Sequence, residues 1–153
     1  MRRTLSKELV EMMRKDNKIV LILGGVGHFE EVIKEFPDRV FDTGIREQSM
    51  IGMAAGLALQ GLKPHVYTIT PFLIERPFEQ IKLDIDGMKT NVTLLGYDDY
   101  PFDGITHNTL NIEETMKLFK NIKSFYPQNK DEFLEALKEE GPKFIKLINI
   151  WKH

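Results

Sequence analysis

Several stretches of this chain carry side chains able to do chemistry. Glu47 precedes a glycine- and alanine-rich segment, Ser49 to Gln60, that has the length of a helix. A carboxylate in the first turn of such a helix is favoured by the helix dipole, so Glu47 on its own reads as a stabilising end charge. A second stretch, Gly96 to Asn111, holds Asp98, Asp99, Asp103, Thr106 and His107. Asp103 can accept a hydrogen bond, and His107, four residues on, can donate one or carry a proton. That pair suits a hydroxylated carbon skeleton. No Arg or Lys lies between Gly96 and Asn111, so this stretch offers no cation to a substrate carboxylate. The competing reading is a polar loop that satisfies its own backbone. Asp98 and Asp99 read as solvated acids, and no metal site is expected. A third stretch, Gly24-Gly25-Val26-Gly27-His28, is of the type that cradles phosphate. Glu30 stands where a dinucleotide fingerprint needs its third glycine, and no GK[ST] follows. It reads as a tight turn, with His28 at a surface or an interface.

The elements that must position these residues alternate. Leu5, Leu9, Met12 and Met13 recur at helical spacing behind Thr4. Apolar strand-like runs follow at Ile19–Leu23, Val40–Asp42, His65–Ile69, Val92–Leu95, Lys123–Tyr126 and Phe144–Ile150. Helical patterns separate them at Phe29–Phe36, Ser49–Gln60, Pro77–Ile85, Ile112–Phe119 and Lys130–Glu140. The strand runs are continuously apolar, which marks a parallel sheet covered on both faces. The chain therefore reads as α/β, a single three-layer domain over residues 1–153 with a central parallel sheet. Ligands of such sheets bind beyond the carboxyl ends of the strands. The segments after Leu23, Asp42, Ile69 and Leu95 are the places to look.

Composition narrows the classes. A formal net charge of -2 leaves no basic footprint for nucleic acid and no polybasic membrane patch. The absence of cysteine excludes disulfides and thiolate metal sites. The start lacks the apolar core of a signal peptide, and no apolar run is long enough to span a bilayer. A cytoplasmic protein is expected.

One set of motifs carries a resemblance. Gly44-Ile45-Arg46-Glu47-Gln48, then Met53-Ala54-Ala55-Gly56-Leu57-Ala58 and Gly61-Leu62-Lys63-Pro64, resemble the pyrimidine-binding domain of transketolase and 1-deoxyxylulose-5-phosphate synthase. The resemblance continues through Phe72-Leu73, Phe78-Glu79-Gln80 and Asp84, and returns at Asp103-Gly104-Ile105-Thr106-His107. It implies the thiamine-diphosphate-binding fold and a cofactor site in which Glu47 meets the pyrimidine ring nitrogen. Phe72 or Phe78 would stack on that ring. Asp103 and His107 would approach substrate hydroxyls, with His107 and Glu47 as the catalytic pair. Gly25 stands where relatives carry an Asp near the thiazolium, and Glu75 near where transketolases place an aromatic. The Gly-Asp-Gly…Asn motif that holds diphosphate and magnesium in this family does not occur in the sequence. The resemblance therefore implies a partner subunit that carries it, in an α2β2 assembly with the cofactor shared between unlike chains. The implied activity is transfer of two-carbon ketol units between sugars or sugar phosphates. The alternatives are a synthase, decarboxylase or dehydrogenase E1 acting on a 2-oxo acid, and a non-catalytic binding module that kept the fold.

Overall fold

The computed structural model describes residues 2–25, 27–97, 104–108 and 110–148. Six strands form one sheet: β1 (Ile19–Leu23), β2 (Val40–Asp42), β3 (Lys63–Ile69), β4 (Thr93–Tyr97), β5 (Lys123–Phe125) and β6 (Lys143–Leu147). Their order is β2-β1-β3-β4-β6-β5, and every pairing is parallel. The four inner strands are buried along almost their whole length, whereas β2 and β5 at the edges are three residues long and partly exposed. Burial on both faces is why the inner strands read as unbroken apolar runs.

Alternate residues of each inner strand feed different cores. Leu21, Tyr67, Leu95 and Ile145 pack in one core with Leu5, Leu9 and Met13 of helix α1 (Arg2–Lys15), Val32 of α2 (Glu30–Glu35), and Phe133 and Leu137. Ile22, Val66, Leu94 and Phe144 share the other with Met50, Ile51, Ala54 and Ala55 of α3 (Glu47–Leu59). The result is the expected three layers. Helix α3 links β2 to β3 and so crosses β1, the strand that lies between them. It closes on Gly61: the amide of Gly61 donates to Ala58 O at 3.0 Å and that of Leu62 to Leu57 O at 3.1 Å, the paired bonds of a glycine-terminated helix.

The structure departs from the sequence reading after β3. A short helix α4 (Thr70–Ile74) follows that strand directly, with Pro71 in its first turn, and was not among the expected elements. The expected helix over Pro77–Ile85 is a brief α5 (Phe78–Gln80) that widens into a π-helical segment, Ile81–Gly87. Asn121 fastens that segment: its backbone amide donates to Asp86 Oδ1 at 2.6 Å, and its side-chain amide to Asp86 O at 2.9 Å. The remaining helices are α6 (Ile112–Met116) and α7 (Lys130–Lys138), each capped by an asparagine side chain that accepts an amide of the first turn.

At the amino end of the sheet, His65, Thr93 and Lys143 lie in register on adjacent strands. The Lys143 ammonium donates to Leu137 O at 2.7 Å and to the carbonyl of Glu139, which closes the C-terminus of α7. His65 Nδ1 lies 3.1 Å from Lys63 O, and the ring is buried.

Candidate active site

The carboxyl ends of β1, β2 and β3 bring the candidate residues together. β1 is flanked by β2 on one side and β3 on the other, so the connections leaving β1 and β3 diverge and open a crevice. Asp42, the last residue of β2, bridges two of the loops there. Its Oδ1 accepts the amide of Gly25 at 3.1 Å and that of Gly44 at 2.8 Å. Gly25 has φ +69°, a backbone region that any residue with a Cβ resists. The position that relatives give to an acid is thus conformationally suited to glycine here, and a carboxylate reaches it from the neighbouring strand.

Glu47 opens α3 with its side chain buried, only 4% exposed. Arg46, the residue before the helix, offers no side-chain cap, and Glu47 places an acidic side chain in the first turn, where the helix dipole favours it. The Glu47 carboxylate is paired: Arg76 Nη1 donates to Glu47 Oε1 at 2.7 Å. The same guanidinium lies over the ring of Phe72, with Cζ 3.4 Å from its centroid. Gln48 Nε2 donates to Arg76 O at 3.3 Å, which ties the turn after α4 to the start of α3. Phe72 in turn meets His107, ring centroids 5.0 Å apart and 61° between planes. His107 Nδ1 lies 3.1 Å from Thr106 Oγ1. A chain of contacts therefore runs Glu47, Arg76, Phe72, His107.

Of the residues singled out in the sequence, the structure joins Glu47, Phe72 and His107 through this chain and places Gly25 at the Asp42 bridge. Phe78 lies elsewhere. Its ring packs against Phe119, 5.0 Å between centroids, on the core under α3. Asp103, with Asp98 and Asp99, lies outside the described residues. Glu75, in the place of an expected aromatic, accepts the Leu110 amide at 2.9 Å and so pins the segment that follows His107. Arg76 was missed in the sequence. No Arg or Lys lies between Gly96 and Asn111, as the sequence shows, but Arg76 brings a cation to Phe72 from another segment.

A buried carboxylate beside an aromatic face suits a planar, basic ring. The carboxylate supplies a hydrogen-bond acceptor at the ring edge, and the phenyl face supplies stacking area. An aminopyrimidine has both properties.

Comparison with known proteins gives the family. The family model described as transketolase, pyrimidine binding domain, matches residues 1–141. The chain belongs to that family. It is 40% identical over 122 residues to one of the subunits of apulose-4-phosphate transketolase from Actinobacillus succinogenes, covering 75% of this chain and 39% of that one. It is 34% identical over 149 residues to 1-deoxy-D-xylulose-5-phosphate synthase of Bacillus velezensis, covering 90% of this chain and 23% of the synthase. Among solved structures, a split-gene transketolase described as an inactive beta4 tetramer superposes with a TM-score of 0.82 at 29% identity, over 96% of this chain and 50% of that one. The chain spans half or less of the length of each of these relatives.

Proposed function

We propose that this chain supplies the pyrimidine-binding half of a thiamine-diphosphate enzyme that transfers two-carbon ketol units between sugars or sugar phosphates. The observation that carries the proposal is the buried Glu47 carboxylate at the crevice, joined through Arg76 to the face of Phe72. When bound, the cofactor supplies a carbanion at its thiazolium that can break and form carbon–carbon bonds. The chain's own residues do the rest. Glu47 accepts or shares a proton at the pyrimidine ring nitrogen, in a site dry enough to make that bond strong. Phe72 provides the stacking face, and Phe78 serves the core. His107, held at the edge of Phe72, stands where it can hold or move a proton at a substrate hydroxyl, with Asp103 as a second contact. Gly25 and Asp42 shape the wall near the thiazolium.

The diphosphate and its magnesium are assigned to a partner subunit carrying the Gly-Asp-Gly…Asn motif. Two relatives support that assignment, one named as a single subunit of its transketolase and one described as a split-gene transketolase. The partner meets this chain in an α2β2 assembly, and the complex is soluble and cytoplasmic. Among the described residues no helix is long and apolar enough to cross a membrane.

The test is reconstitution with a chain of the Gly-Asp-Gly type, followed by assays with a ketose phosphate plus an aldehyde acceptor, and with pyruvate. Acceptor-dependent consumption of the ketose supports the proposal, and no ketose turnover in an assembled complex defeats it. A second reading has two observations in its favour. Arg76 offers the cation that a 2-oxo acid would need, and the synthase relative is 34% identical. Release of carbon dioxide from pyruvate without any ketose turnover would establish that reading.

A further inference from the structure

The Arg76 guanidinium makes the two contacts that define the proposed pyrimidine site. It donates to Glu47 Oε1 at 2.7 Å, and it lies close enough over Phe72 to bring Cζ within 3.4 Å of the ring centroid. A guanidinium is planar, basic and rich in N–H donors, as a protonated aminopyrimidine edge is. Phe72 also packs against the core that holds Leu5, Phe29 and Tyr67, so one stacking face is on offer. The ring and the guanidinium cannot share it.

We propose that Arg76 is a displaceable occupant of the pyrimidine site, so that cofactor entry is an exchange of the guanidinium for the ring. This rests on the cofactor site assigned above. The anchoring of Arg76 favours a swinging side chain. Its backbone is held at the carbonyl by Gln48 Nε2, 3.3 Å away, independently of the guanidinium. Its side chain is 36% exposed, against 4% for Glu47, so it has a route to solvent that the carboxylate lacks. Leaving costs one half-exposed ion pair and one cation–π contact, both of modest strength. The exchange also has a specificity consequence. A ligand that stacks on Phe72 but offers Glu47 no donor cannot replace the bond Arg76 gives up, and would leave the carboxylate buried without a partner.

The experiment uses the full chain labelled for NMR at Phe and Glu, titrated with the neutral alcohol of the thiamine aminopyrimidine. That probe carries no thiazolium charge to be repelled by Arg76. Arg76→Ala is expected to bind it on the order of 10-fold more tightly than the wild type, with shifts at Phe72 and Glu47. Arg76→Lys keeps a charge for Glu47 but uncovers Phe72, and is expected to fall between the two. It also serves if the alanine variant folds poorly. Equal or weaker binding by both variants, with Phe72 and Glu47 still responding, overturns the exchange and leaves the cofactor site standing. Absence of any response at Phe72 and Glu47 in all three proteins removes the cofactor site and the exchange together.

Discussion

Glu47 and Arg76 meet across 29 residues of sequence at 2.7 Å, and the pair is asymmetric: the carboxylate is buried and the guanidinium half-exposed. If the pair is broken the guanidinium can be rehydrated, whereas the buried carboxylate cannot. The guanidinium also lies over Phe72, which is the contact that the proposed exchange would break.

Replacing Glu47 separates structure from chemistry. Glu47→Gln keeps the shape and leaves Arg76 reachable by water. The folded stability of the chain should fall by about 1 kcal/mol at most. Turnover by the reconstituted complex should fall by about 10²–10⁴-fold, the usual worth of a positioned proton-transfer group. Urea unfolding of the chain and exchange of the cofactor's reactive thiazolium proton in the complex are the two measurements. Near-normal exchange would reduce Glu47 to a helix-end charge.

His107→Ala tests the other end of the contact chain. Proton transfer at the substrate predicts a loss of about 10²–10⁴-fold in turnover, with binding of the aminopyrimidine probe little changed. A variant that instead weakens the probe and spares turnover would show that His107 only props the ring of Phe72, 5.0 Å away.

Gly52 and Gly56 sit on the exposed side of α3, and a Cβ built on either meets nothing within 4 Å. Alanine at each should stabilise the isolated chain by roughly 0.8–1.0 kcal/mol, because glycine is the poorer helix former. A larger residue at the same places, Gly56→Leu for example, should block a close-packed partner. Association measured by analytical ultracentrifugation should weaken while the chain's own midpoint of unfolding rises. Unchanged association would place the partner on another face.

Gly96 behaves oppositely. It lies in β4, and a Cβ there would stand 2.8 Å from Phe144 Cε2 and 2.8 Å from Thr70 Oγ1. Gly96→Ala should cost about 1–3 kcal/mol by overpacking, read from chemical denaturation.

Acid should weaken the fold before its carboxylates are protonated. Burial pushes the His65 imidazolium down from 6.5 to about 4, and Lys143 and Lys63 nearby push the same way against a backbone bond to Lys63 and the charge of Asp16. The folded value lies below the unfolded one, so the unfolded chain takes up the proton first. Stability is whole above about pH 6.5 and is lost as the pH falls from there toward about 4. The slope is about 1.4 kcal/mol per pH unit, about 3 kcal/mol in all. His65→Leu should flatten this limb in urea titrations at successive pH values. The paired carboxylates Asp16, Glu35 and Glu139 are held below their usual range by Lys63, Arg14 and Lys123, and their contribution is lost only at lower pH.

The sheet and Glu47 were legible in the sequence for different reasons. Strands such as Ile19–Leu23 are buried on both faces, so their apolar character is unbroken and needs no partner to be recognised. Glu47 was legible by its motif alone, since an acid in a first helical turn is common. Arg76 was not legible. Nothing beside it in the sequence says that it folds back over Phe72, and its carboxylate partner is distant along the chain. Helix α4 was hidden because Thr70 to Ile74 is buried almost throughout and shows no helical stripe. The helical pattern over Pro77–Ile85 was legible, but the π-helical character of Ile81–Gly87 was not, because residue types alone do not tell a wider helical turn from an α-helical one. Asp42 looked like the end of a strand, and only the approach of Gly25 and Gly44 reveals its carboxylate as a clamp between loops.

Because every strand pair in the sheet is parallel, no pair can be closed by a hairpin. Each must wait for a crossover: β1 reaches β2 only after α2, and β3 only after α3. Loop closure thus precedes the contacts that reward it, and slow folding for a chain of this size is the expected outcome. During that interval the long inner strands have open edges. A refolding or expression protocol that keeps the chain dilute lowers the chance that those edges pair with one another.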